Sequence, residues 1–170
     1  MSIWWSLHLR REAASVPLAR RLLLGTMETA GVDPDISYDL SVALSEACAN
    51  AVEHGGRTAT HETGLDLSRD ADITVAASSS GGFRVTAYLD GEMCRIEVTD
   101  SGPGFPPDRA EGQGRRFSGP DESSEHGRGL CLIQEIADHA SFDNRPGRGG
   151  AVVSFDKILK WRTDAPLLSA

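Results

Sequence analysis

The sequence predicts a two-layer α/β sandwich of the α+β kind, a mixed and mainly antiparallel sheet with helices packed on one face. Three observations predict it. Two stretches of helical apolar spacing fill the first third of the chain, and a pair of strictly alternating segments meets at Asp90-Gly91. A further helical stripe then leads to a closing apolar strand. No internal repeat appears, and 170 residues suit a single domain, 1–170.

Ile3 to Leu9 alternates as a first strand, with Trp5, Leu7 and Leu9 on one side. Ser15 is placed to cap a helix whose first turn holds Pro17, a position where proline is tolerated. Leu18, Leu22 and Met27 mark its apolar stripe, and Gly31 ends it. Asp33-Pro-Asp35 opens a second helix, with Asp35 the expected cap, and Leu40, Leu44, Ala47 and Ala51 form its stripe up to Gly55-Gly56. Residues 57–82 are rich in Thr, Ser, Gly and Asp and read as a long surface loop, with room for a short strand at Ile73 to Ala76.

Phe83, Val85, Ala87 and Leu89 alternate with polar residues, Asp90-Gly91 supplies a two-residue turn, and Cys94, Ile96 and Val98 return. From Ser101 to His126 the chain is too polar and too punctuated by Gly and Pro to pack as core. A third helix is expected from about Gly127, carrying Leu130, Leu132, Ile133 and Ile136. Pro146 to Gly150 make a turn, and Ala151 to Phe155 a last apolar strand.

Composition narrows the function classes. A net charge of −8 and a pI near 5.0 argue against a phosphate-backbone binder, so no nucleic-acid partner is expected. The five histidines form no cluster with cysteine, which disfavours a structural zinc module. Cys48, Cys94 and Cys131 are widely spaced and odd in number, the pattern of reduced core thiols. No run approaches the ~18 apolar residues of a membrane span, and the N-terminus lacks the features of a secretion signal, so a cytoplasmic protein without a membrane partner is expected.

Four segments carry candidate chemistry. On the second helix, Glu46, Asn50 and Glu53 fall within about 60° of arc beside the apolar stripe. An amide oxygen suits a Mg²⁺ ion that keeps phosphate and water as its other ligands, and a carboxylate one turn away can accept a proton. By itself the spacing also describes an ordinary solvated helix face. Asp100-Ser-Gly-Pro-Gly104 follows a strand directly, so its carboxylate can accept from the exocyclic amine of a base. Gly102 and Gly104 would let backbone approach the ring, although the same residues make a good plain turn. No helix opens there, which excludes a Rossmann site. Glu125-His-Gly-Arg-Gly-Leu130 leads into a helix whose free N–H groups and dipole favour an anion such as triphosphate. Pro146-Gly-Arg-Gly-Gly150 reads equally as a plain hairpin turn.

In combination, Glu-x-x-x-Asn on a helix, Asp-x-Gly-x-Gly after a strand and Gly-x-Gly-Leu at a helix start, in that order and with a polar segment between the last two, resemble the GHKL ATPases of the Bergerat ATP-binding fold. Within that superfamily the chain looks most like the anti-sigma-factor serine/threonine protein kinases of bacterial stress and sporulation switches, over roughly Trp5 to Leu159. The resemblance implies ATP and Mg²⁺ as cofactors, Asn50 as the Mg²⁺ ligand and Glu46 as the catalytic base. It implies that Asp100 holds the adenine amine, with Gly102 and Gly104 shaping that wall, and that Gly127, Arg128, Gly129 and Leu130 line the phosphates. Residues 105–126 would be the ATP lid, in which Arg109, Arg115 and Arg116 could meet phosphate. The implied partners are a sigma factor and an anti-anti-sigma-type antagonist whose serine is phosphorylated, and the implied assembly is a homodimer. The first strand and first helix, with Trp4 and Trp5, would supply partner and dimer surfaces.

Two departures stand out. The 57–82 loop is longer than the family's usual connection, and Gly150-Ala151 stands where relatives often carry a threonine hydroxyl near the base. Two rival functions remain beside the kinase: a nucleotide-binding module that sequesters a partner without phosphate transfer, and a histidine-kinase-type catalytic domain. The latter is disfavoured because no phosphoacceptor histidine helix precedes the second helix; His8 is on a strand and His54 at that helix's end. A topoisomerase- or chaperone-type ATPase would need far more chain.

Overall fold

The computed structural model describes residues 2–56, 81–105, 125–147 and 149–165. Its elements are β1 (Ile3–Leu9), α1 (Ser15–Ala30), α2 (Pro34–His54), β2 (Phe83–Leu89), β3 (Met93–Thr99), α3 (Glu125–Ile136), β4 (His139–Asn144) and β5 (Ala151–Ile158). The strands form a five-stranded sheet in the order β1-β2-β3-β5-β4, and every pairing among the described residues is antiparallel. β5 is thus inserted between β3 and the strand that precedes it in sequence.

One face of the sheet is apolar. Phe83, Val85, Ala87 and Leu89 of β2, Cys94, Ile96 and Val98 of β3, and Val153 and Phe155 of β5 are all buried. α2 lies against β3 and β5, with α1 packed on α2 on one side and α3 on the other. Leu40, Leu44, Ala47 and Ala51 are 2% exposed or less, so the expected stripe of α2 is its core face. Burying a Leu or Phe side chain contributes about 1.5–3 kcal/mol, which is why this face fixes the orientation of α2.

Local chemistry corrects several expectations. The cap of α2 is Asp33, whose carboxylate accepts from Asp35 N–H at 2.9 Å with Pro34 in the first turn; Asp35 itself lies within the helix. Ser15 does not cap α1. It is buried and its hydroxyl donates to Arg10 carbonyl at 2.6 Å, fastening the β1–α1 link. The buried face of α1 is Ser15, Ala19, Leu23, Met27 and Ala30, leaving Leu18 and Leu22 exposed. The consecutive leucines 22–24 offer more than one apolar face, and only contact with α2 selects between them. Gly31 does end α1, at φ 88°, with its N–H on the Met27 and Glu28 carbonyls. The hairpin closes on Asp90 and Met93 with Gly91-Glu92 at its tip, because the Asp90 carboxylate accepts from the N–H groups of Glu92 and Met93, both at 2.8 Å.

β4 is the strand that apolar patterning does not mark. It lies at the sheet edge and is half-buried at best: only Ala140 and Phe142 alternate inward against the core, too few apolar residues to stand out in the sequence. α3 starts at Glu125, two residues before its expected start, so the lid expected over 105–126 ends before Glu125. Residues 106–124 of that lid, 57–80 of the long loop and the strand expected at Ile73 to Ala76 lie outside the described residues.

All three cysteines are free. Burial pushes the Cys48 and Cys94 thiols up to about 12, so both are inert core groups. No helix among the described residues is long and apolar enough to cross a membrane.

The opposite sheet face is polar and carries a cross-strand triad. The Asp156 carboxylate, on β5, lies 2.8 Å from His139 Nδ1 on β4 and 3.5 Å from Arg95 on β3. The hydrogen bond and charge of Asp156 raise the His139 pKa above its ordinary value of about 6.5, with Asp138 adding to the rise and desolvation and Arg95 opposing it. A raised histidine pKa stabilises the fold fully below pH ~6.5, and that contribution fades as pH climbs through the folded-state value. Replacing His139 with Gln should therefore lower the thermal midpoint at pH 6 and matter less by pH 8.5. Melting curves across that range check it; a deficit independent of pH would show that the ion pair contributes nothing.

Candidate functional site

The second helix supplies the first wall. Glu46 and Asn50 are half-buried, one turn apart on α2, flanked by the buried Ala47 and Ala51 that press the helix onto the sheet. The facing wall is α3, held down by Leu130 and Ile133, which are 3% and 0% exposed. Glu46 and Gly129 meet where these helices pack. A Cβ added at Gly129 would lie 2.7 Å from Glu46 Oε2, so glycine there lets the backbone of α3 lie directly against the carboxylate.

The placement of the phosphate-lining candidates follows from that contact. Gly127 lies in the first turn of α3, inside the helix instead of ahead of it, and Arg128 is exposed. The Leu130 side chain belongs to the core, so what Leu130 presents to a ligand is backbone. The first-turn N–H groups of α3 lack intrahelical carbonyl partners and bring the helix dipole with them, the setting in which an anion is stabilised.

Asp100 meets the C-terminal end of α2, at Gly55. It follows β3, is 5% exposed, and its Oδ1 accepts from Gly102 N–H at 2.9 Å and from Ala151 N–H at 3.0 Å. The Asp100 N–H in turn donates to the Ala151 carbonyl at 3.1 Å. Both carboxylate bonds among the described residues fall on one oxygen, which leaves Oδ2 as the acceptor for an incoming donor such as an amine.

Gly102 makes room for protein as well as for any ligand ring. A Cβ there would lie 2.6 Å from the His54 carbonyl and 2.8 Å from Gly55, so the end of α2 packs straight onto the Asp100 segment. Gly104 has φ +81°, and a Cβ on it would run into the Asn144 amide oxygen. The C-terminal end of the helix carrying Glu46 and Asn50 is thereby locked to the strand end carrying Asp100.

The Pro146–Gly150 turn, which by sequence looks plain, belongs to this wall. Gly150 has φ +111° and a Cβ on it would collide with the Asp100 carbonyl; one on Gly149, at φ +69°, would lie 3.2 Å from the Gly102 carbonyl. Sequence reasoning missed the Ala151 N–H and the Gly150 backbone as partners of Asp100, and Gly149 as a neighbour of Gly102. The signal was present in the clustered glycines at 147, 149 and 150, all of which adopt positive φ. Ala151 carries no hydroxyl, so it offers the Asp100 carboxylate only its backbone N–H. A separate cavity of about 450 Å³ touches Asp100 from the helix-free side, with His8, Arg84, Glu97 and Arg145 in its lining, and neither Glu46 nor Gly129 reaches it.

The sequence model of the histidine kinase-like ATPase domain matches residues 9–157. Among solved structures, that of the RsbU and RsbW domains of Rv1364c from Mycobacterium tuberculosis superposes with a TM-score of 0.55 at 21% identity, covering 92% of this chain and 33% of that one. The chain thus spans about a third of that protein's solved length. The mycobacterial sensor histidine kinase MprB gives a TM-score of 0.50 at 16% identity, covering 93% of this chain and 100% of that one. At these identities the likenesses show a shared fold. No curated protein matches the sequence. With the antiparallel sheet, the helices on one of its faces and a family match over nearly all of its length, the chain belongs to the histidine kinase-like ATPase domain family.

Proposed function

We propose that this ATPase domain is a serine protein kinase that phosphorylates an anti-anti-sigma-type antagonist and, in its other role, sequesters a sigma factor. The observation that carries the reading is the contact of the Glu46 carboxylate with Gly129. It places a proton acceptor against the first turns of α3, where the phosphate tail of a nucleotide would rest. A partner serine entering there would bond through Oγ to the γ-phosphorus as the bond to ADP breaks, its proton passing to Glu46.

Asn50, one turn along the same helix, offers the neutral hard oxygen that suits Mg²⁺. Bound there, Mg²⁺ would offset phosphate charge.

The expected partner and dimer surface finds support at β1 and α1. β1 is an edge strand, and exposed Leu18 and Leu22 line an apolar groove with Ile3 and Gly25. Trp4 of β1 is 65% exposed, on the sheet face opposite Ile3, whereas Trp5 packs against the core.

Incubation of the full chain with γ-labelled ATP and candidate antagonist domains tests it. Label on an antagonist serine is the expected result. ATP binding with no label on any partner identifies a passive sequestering module instead, and label on a histidine identifies a histidine-kinase-type catalytic domain.

A further inference from the structure

A single cross-strand pair holds both ends of the Asp100–Phe105 wall. Asn144, the last residue of β4, is the ladder partner of Ala151, the first residue of β5. From this pair the Ala151 N–H reaches Asp100 Oδ1 at 3.0 Å. From the same pair the Asn144 side-chain amide takes both backbone groups of Phe105: its Oδ1 accepts from Phe105 N–H at 2.6 Å and its Nδ2 donates to the Phe105 carbonyl at 2.9 Å. The amide thus does for Phe105 what a neighbouring strand would do, and it fixes the peptide in one orientation. The Phe105 ring rests edge-on against Phe142, two residues back on β4, with ring centroids 6.3 Å apart. Gly104, at φ +81°, leaves the space that the Asn144 amide oxygen occupies.

We propose that Asn144 is a positioning residue of the nucleotide site: its bidentate amide pins Phe105 so that the wall from Asp100 to Gly104 presents Asp100 to the purine edge. The inference rests on the reading of Asp100 as the residue that accepts the base amine. Asn144 touches no reacting atom; it acts through the backbone it holds. Its own exposure means that it carries little of the fold's stability, so its effect is confined to this wall. The ligand class concerned is a purine nucleotide whose C6 amine faces Asp100, which favours ATP over GTP because the C6 position of guanine carries an acceptor oxygen instead.

The test uses the full chain, with the fluorescent analogues mant-ATP and mant-GTP and thermal melting of each variant. Binding of mant-ATP by the unaltered chain checks the nucleotide reading, and absence of binding there would end that reading and this one together. Asn144→Ala removes both amide bonds and is expected to weaken mant-ATP binding about tenfold. Asn144→Asp keeps the shape and the acceptor but sets a charge against the Phe105 carbonyl, with an expected loss of about threefold or more. In both, the preference for mant-ATP over mant-GTP should fall while the thermal midpoint moves by only a few degrees, about 3 °C or less. A merely structural role would lower the midpoint and leave the preference intact. Affinity and preference within twofold of the unaltered chain in both variants would overturn the proposal, as would a lowered midpoint with preference unchanged. Should Asn144→Ala fail to fold, Asn144→Asp decides by the same readouts.

Discussion

Asp100→Ala is expected to destabilise the domain and to abolish nucleotide binding in the same stroke. The side chain is 5% exposed and holds two backbone N–H groups, those of Gly102 and Ala151. Without a carboxylate both donors are stranded in a site packed too closely for easy rearrangement, since Gly55 and Gly150 already press on Asp100. At roughly 1–2 kcal/mol for each orphaned donor, the loss is about 2–4 kcal/mol. For a domain of this size that lowers the midpoint by about 5–15 °C. Asp100→Asn separates the two roles. Its carbonyl can still accept from both N–H groups, so the fold should survive, but its NH₂ would then face the purine amine, donor against donor. The expected outcome is a near-native melt with ATP affinity reduced at least about tenfold, read by calorimetry. An Asp100→Asn chain that binds ATP normally would remove Asp100 from the site.

The second large effect is a split between two residues one helical turn apart. Asn50→Ala should abolish Mg-ATP binding while leaving the adenine end, and therefore adenosine binding, in place. Glu46→Ala should keep Mg-ATP binding but slow phosphate transfer to the partner by at least ~10²-fold, the usual worth of a positioned general base. The geometry makes the split sharp. Both residues stand beside the core face of α2, and neither belongs to the buried core, so neither change opens a cavity. Glu46 lies against the α3 backbone at Gly129, where loss of its carboxylate removes a proton acceptor without moving the helix. Nucleotide titration and single-turnover transfer assays measure the two arms. If both variants bind and transfer as the unaltered chain does, Glu46 and Asn50 carry neither role.

The elements most legible in the sequence are those whose burial is one-sided. In α2 the stripe of Leu40, Leu44, Ala47 and Ala51 is the core face, and in β2 and β3 the alternation from Phe83 to Val98 maps onto the buried sheet face residue by residue. α1 was less legible, because neighbouring leucines gave it two candidate faces, and the one that includes Leu18 and Leu22 remains exposed. β4 is hard to read because its alternation rests on only two inward apolar residues, Ala140 and Phe142, in a short strand at the sheet edge. The caps show the same contrast at shorter range. Asp33 and Asp35 both have the chemistry of a cap, and only the backbone turn at Pro34 chose Asp33.

The candidate site divides in the same way. Composition and local spacing by themselves determined the residue types: a carboxylate and an amide in register on one helix, an Asp-x-Gly-x-Gly segment after a strand, and glycines at the start of α3. Those depend on neighbours within a few positions, where geometry is set by helical or strand period. What only the tertiary structure decided is how they meet. The insertion of β5 beside β3 places Ala151 against Asp100, 51 residues away in sequence, and brings Asn144 with it to Phe105. The packing of α3 on α2 carries Gly129 to Glu46. Such contacts come from burying one continuous apolar face across distant segments, and no local pattern records which distant segment completes that face.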